Sequence, residues 1–211
     1  MRFYIGLVGG IFALTLLAAP RLGGGILWNL LNGVGFVALI LMLALFGDTG
    51  RGGRLALHRA LGWSALGLIL LHAAGILIAH PASLEYLKAS APLYMGAGIL
   101  SALLLWLVLW SASPKRLPIW GGFRPFLRAH WLLSSIAVLG ALYHVVASGL
   151  YLDNAWEAWA FSALVLGVIA LPRFGATFGV RVGSLRSVRI EHIVGLLAAG
   201  LCVFILLKQF S

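Results

Sequence analysis

Four of the six histidines fall into two matched pairs, His58 with His72 and His130 with His144. The members of each pair are 14 residues apart, and both pairs sit inside long apolar runs. On an α-helix, 14 steps fall about 40° short of four full turns, so both members of a pair face the same way, about 21 Å apart along the axis. Two such helices running parallel would set His58 level with His130 and His72 level with His144. Two facing imidazoles at one depth are what an axial ligand pair requires, because neutral imidazole is a good iron ligand and haem can be held without covalent attachment. Polar groups inside membrane helices are expensive and usually functional. A lone histidine there would be explained equally well as a helix-packing hydrogen-bonding group. A proton relay calls for acidic partners, and no Asp or Glu lies in the interior of the apolar runs.

The elements that must position these side chains are membrane helices. The 211-residue chain is 62% hydrophobic and 9% charged, with a mean hydropathy of +1.06. Soluble domains are about 45–50% apolar and about 25% charged. That composition excludes an ordinary soluble globule, a disordered tail and a nucleic-acid-binding domain, even though the net charge is +10. The single cysteine, Cys202, has no intrachain partner, and no CxxCH or CxxC is present for covalent haem or a metal cluster. Neither a GxGxxG nucleotide fingerprint nor a Walker loop occurs.

A spanning helix needs about 20 mostly apolar residues. Seven stretches qualify: Phe3–Ala19, Ile26–Phe46, Leu55–Ala79, Leu93–Ser113, Pro125–Leu150, Trp156–Leu171 and Ile190–Leu207. The first and sixth are short. Phe3–Ala19 also looks like a signal-peptide apolar region, but without a small-x-small site before Pro20 it reads as a retained helix. The breaks carry turn chemistry at Pro20 with Gly23–Gly25, Gly47–Gly53, Pro81, Pro114–Gly122 and Gly175–Gly183. The fold expected is a single all-α integral membrane domain over residues 1–211.

Basic residues set the orientation, because cytoplasmic loops collect Lys and Arg. With seven helices and a cytoplasmic N-terminus, 12 of the 15 basic residues lie inside, and only Arg21, Lys88 and Lys208 lie outside. That places the C-terminus outside. His58 and His130 then sit near the cytoplasmic face, and His72 and His144 near the outer face.

Haem propionates are anionic and want cationic partners. Arg54 and Arg59 flank His58, while Arg124 and Arg128 precede His130, so these four are candidates for the inner propionates. Positive-inside topology alone would also put arginines there. The outer level offers Arg21, Lys88, Tyr94 and His80. His80 and His192 read first as solvated groups in the headgroup region, and Cys202 as a small packing residue. Trp28, Trp110, Trp120, Trp156 and Trp159 fall near helix ends, where tryptophan anchors helices to the interface.

The pattern His58-Arg59-x-x-Gly62…His72, with the matching His130…His144, resembles the ferric-reductase-like transmembrane domain. That superfamily includes ferric reductases, NADPH oxidases and the haem-binding membrane subunit of the methionine sulfoxide reductase system. The resemblance covers about residues 26–171. It implies a six-helix di-haem cytochrome b core, and the apolar stretch at about 190–207 departs from the family as an extra C-terminal helix. It also implies two haem b groups, an inner one on His58 and His130 and an outer one on His72 and His144. The flavin and NADPH domains fused to the oxidases are absent from this sequence. The donor implied is therefore a separate cytosolic flavoprotein reductase or a membrane quinol. The acceptor would lie on the outer face as a periplasmic protein, ferric iron or oxygen, and the membrane would be a bacterial inner membrane. The basic loops Gly47–Arg54 and Pro114–Arg128 are expected to dock an acidic donor. The competing expectation is a cofactor-free transporter or structural subunit that uses the histidines for packing or proton relay.

Overall fold

A computed structural model describes residues 25–47, 55–152 and 155–177. The expected helices Phe3–Ala19 and Ile190–Leu207 lie outside the described residues, as do Arg21, Arg54, His192 and Cys202. The described chain is helical, and no strand occurs among the described residues. Its helices are α1 (Gly25–Gly47), α2 (Leu55–Ala79), α3 (Leu93–Ser111), α4 (Phe123–Ser148) and α5 (Ala155–Thr177). Short 3₁₀ segments, Pro81–Leu87 and Pro114–Trp120, follow α2 and α3.

Four of these helices are long and apolar enough to cross a membrane: Leu27–Phe46 within α1, then α2, α3 and α4. Their backbone amides are satisfied within each helix, as a hydrocarbon environment demands. Ser135 and Ser148 turn their hydroxyls back onto their own helix, Ser135 to the Trp131 carbonyl and Ser148 to the Val145 carbonyl, both at 2.8 Å. The fifth helix departs from expectation. It spans 23 residues and runs to Thr177, past Pro172, where the sequence suggested an end at Leu171. Proline is tolerated in membrane helices because neighbouring groups re-satisfy the freed carbonyl. The apolar run of α5 is only Phe161–Ala170.

Breaks fall where the turn residues stand. Pro81 opens the first 3₁₀ segment directly after His80, whose N–H still bonds the Ile76 carbonyl at 2.9 Å. Gly121 and Gly122, with φ of 70° and 122°, turn the chain into α4 in a conformation that L side chains rarely adopt.

The helices pair as two hairpins, α1 with α2 and α3 with α4, and α5 packs mainly on α1 and α4. Small residues allow the close approaches. A Cβ on Gly140 of α4 would stand 3.1 Å from the Ala97 carbonyl of α3, and beside it the Ser101 hydroxyl donates to the Ala137 carbonyl at 2.6 Å. In the other hairpin, Gly75 of α2 faces Leu31 of α1, while Gly62 of α2 faces Leu109 of α3, between the two hairpins. Among the described residues, α2 and α4 have no comparable backbone packing against each other. The buried core is instead centred on α1, with Val37, Leu39, Leu41 and Leu43 joined by Ala65, Leu66, Leu105, Val138 and Val165. Beyond α4, the chain folds back so that Tyr151 packs edge-on against Phe36 at 5.5 Å and donates to Asn29 Oδ1 at 3.1 Å.

Candidate functional site

The two hairpins bring His58 and His130 together, from α2 and α4. Residues Arg59, Lys115, Arg124 and Arg128 mark one end of the bundle, here the basic end. His58 of α2 and His130 of α4 lie at this end, with ring centroids 6.1 Å apart and planes tilted by 45°. Phe126 stacks obliquely on His130 at 5.3 Å, and Trp120 lies 6.4 Å beyond Phe126. The His130 Nδ1 is buried and has no hydrogen-bond partner.

At the far end stand His72 of α2 and His144 of α4. Each is fixed by the neighbouring helix of its own hairpin. His72 Nδ1 lies 2.9 Å from the Leu31 carbonyl of α1, and His144 Nδ1 lies 3.0 Å from the Tyr94 carbonyl of α3. A carbonyl can only accept, so Nδ1 carries the proton in both rings, and Nε2 is left as the lone-pair nitrogen. Each ring also lies over a glycine. A Cβ on Gly35 would come within 3.1 Å of His72 Nδ1, and one on Gly98 within 2.9 Å of His144 Nδ1. No larger residue leaves room for the imidazole without a shift.

Two nitrogen ligands on one metal, each at about 2.0–2.1 Å as for imidazole on zinc, put the ring centroids roughly 6 Å apart. The His58–His130 separation matches that spacing. At the far end, the Nε2 lone pair left by the Nδ1–carbonyl contacts suits each of the two rings as a metal ligand. Among the described residues, no group of three or more His, Cys, Asp or Glu converges to hold a bare metal ion. A porphyrin needs only two axial ligands from the protein.

Of the remaining candidates, Arg59, Arg124 and Arg128 stand exposed at the basic end, while Arg54 lies outside the described residues. Lys88 is paired with Glu85 at 2.6 Å on the exposed 3₁₀ segment. Tyr94 serves through its backbone carbonyl, with its ring 6.2 Å from that of His144. His80 departs from the solvated role expected of it: its Nε2 is buried, and its ring meets Trp28 edge-on at 4.9 Å. Nor are Trp28 and Trp120 simple interfacial anchors, because both indole N–H groups are buried. Trp110 and Trp159 are exposed, as anchors should be.

Sequence reasoning did not single out Gly35, Gly98, Leu31 or Ser101. The two glycines left a trace, since each interrupts a strongly apolar helix. The carbonyl partners left none, because any residue supplies a carbonyl.

No family model, curated protein or solved structure matches the chain.

Proposed function

We propose that the chain is a di-haem b-type membrane cytochrome of the ferric-reductase-like kind, conducting electrons across a bacterial inner membrane. The observation that carries this reading is the 6.1 Å separation of the His58 and His130 rings, on two helices that belong to different hairpins. Bound haem would supply one-electron iron chemistry at two depths.

The chain's own residues do the rest. His58 with His130, and His72 with His144, provide Nε2 ligands from helices α2 and α4. Leu31 and Tyr94 orient the far-end rings through their carbonyls, and such bonds raise ligand basicity. Gly35 and Gly98 seat those rings. The apolar walls of α2 and α4 exclude water, and burial and hydrogen bonding tune the potential. Two histidines would serve each bound haem, which favours outer-sphere electron transfer over substrate binding at the metal.

With the basic end cytoplasmic by the positive-inside rule, electrons move outward. That direction is downhill in a membrane negative inside, by about 2.3 kcal/mol per 100 mV for a full crossing. Arg59, Arg124 and Arg128 form an exposed cationic surface where an acidic flavoprotein would dock, with membrane quinol as the alternative donor. A periplasmic protein, ferric iron or oxygen would accept at the far end.

The deciding experiment is a pyridine haemochrome assay on protein purified from haem-replete cells, with a dithionite-reduced spectrum. Two haems per chain and reduced b-type bands are expected. A colourless preparation overturns the proposal and leaves the histidines as packing or proton-relay groups.

A further inference from the structure

A second polar cluster lies beyond His72, at the far end of the α1–α2 hairpin, and the four histidines do not use it. It comprises Trp28, Asn29 and Asn32 of α1, His80 at the end of α2, and Tyr151. Most of its hydrogen-bonding capacity is spent internally. The Asn32 amide donates to the Trp28 carbonyl at 2.9 Å, and the Tyr151 hydroxyl donates to Asn29 Oδ1 at 3.1 Å. Two ring nitrogens are left over. Trp28 Nε1 and His80 Nε2 are both buried without a partner, on rings in edge-to-face contact at 4.9 Å.

Both residues stand about two helical turns beyond the level of the far-end histidine: His80 follows His72 by eight residues, about 12 Å along α2, and Trp28 precedes Gly35, which seats His72, by seven residues of α1, about 10 Å. A haem propionate directed outward from that level would approach this cluster. An indole N–H can only donate, and an ionised carboxylate can only accept, through two oxygens. Among the described residues, Lys88 is the one Lys or Arg at this end, and it is engaged with Glu85 at 2.6 Å.

We infer that Trp28 Nε1–H and His80 Nε2–H together hold a propionate carboxylate of the haem ligated by His72 and His144. This rests on the di-haem reading and assigns the outer propionate to neutral ring donors, in contrast to the arginines at the basic end.

The test uses the full chain in detergent, with W28F, H80F and the donor-retaining H80Q. Two readouts are taken: the propionate bending band in the resonance Raman spectrum, and the midpoint potential of each haem. In W28F and H80F the band of one haem shifts and its midpoint falls, because a carboxylate stripped of its donors stabilises ferric iron. The other haem is unchanged, and H80Q stays close to wild type. The same W28F change made in an H72A background, where the outer haem is gone, leaves the remaining band unmoved. If H80F does not keep two haems, W28F decides, since it deletes the donor nitrogen and keeps an aromatic ring. Two bound haems with band and midpoints unaltered in W28F overturn this assignment alone. Wild-type protein without haem overturns it together with the function it rests on.

Discussion

His144 Nδ1 lies 3.0 Å from the backbone carbonyl oxygen of Tyr94, across the seam between α3 and α4. His72 stands in the same relation to Leu31 across the α1–α2 seam, at 2.9 Å. Each far-end ring is thus held by the backbone of its own hairpin. The basic-end ring of His130 has no such bond, as its Nδ1 is unpartnered. In the proposed di-haem form, the far-end ligands would therefore be more basic than His130.

Ligand deletion should separate the levels. His72→Ala or His144→Ala is expected to reduce haem from two per chain to one, with the basic-end haem largely retained. Pyridine haemochrome content and low-temperature reduced spectra give the result. Equal loss of both haems from a well-folded variant would argue against two independent levels.

The potentials should also differ. Hydrogen bonds from Nδ1–H to carbonyls strengthen imidazole donation and favour ferric iron. The haem on His72 and His144 is therefore expected to have the lower midpoint in a potentiometric titration, assigned by its disappearance in H72A. A higher midpoint for that haem would contradict the ligand argument.

The glycine seats can be tested on one helix with an internal control. Gly98→Ala places a Cβ 2.9 Å from His144 Nδ1, whereas a Cβ at Gly96 meets nothing within 4 Å. G98A should weaken haem retention at the far end or shift its low-spin EPR signal. G96A should be neutral or slightly stabilising, since alanine is the better helix former by about 1 kcal/mol. Similar behaviour of the two variants would remove the case for a seat.

Alkaline pH should loosen the far-end return of the chain. Burial pushes the Tyr151 hydroxyl up from 10.0 to about 12, partly offset by a hydrogen bond with Asn32. The unfolded chain then releases this proton near pH 10 while the folded one keeps it. Stability is accordingly flat below about pH 10 and falls as pH rises toward 12. Phenolate absorbance and thermal melts across that window report both events. Tyr151→Phe should abolish this alkaline limb and cost about 0.5–1.5 kcal/mol for the lost bond to Asn29.

The four long helices could be read from the sequence almost to the residue, because hydrocarbon thickness sets a minimum apolar length and Pro and Gly punctuate the ends. Leu55–Ala79 was expected at the bounds observed, and Ser111 and Ser148 end their helices two residues early. The meeting of His58 with His130 was legible from the 14-residue repeat, which depends only on helical geometry. What could not be read were contacts between helices. The carbonyls of Leu31 and Tyr94 carry no sequence signature, and the burial of Trp28 and His80 depends on how α1 packs on α2. The run of α5 to Thr177 was missed because the apolar stretch ends by Leu171, and hydropathy marks only the apolar part of a helix.

The pairing of α1 with α2 and of α3 with α4 bears on how the molecule is made. Each hairpin has its own glycine contacts and its own carbonyl-to-histidine bond, so its far-end imidazole is oriented without help from the other hairpin. In the proposed form, the porphyrins are then the late-arriving rivets of assembly: they join two prefabricated halves instead of nucleating either one.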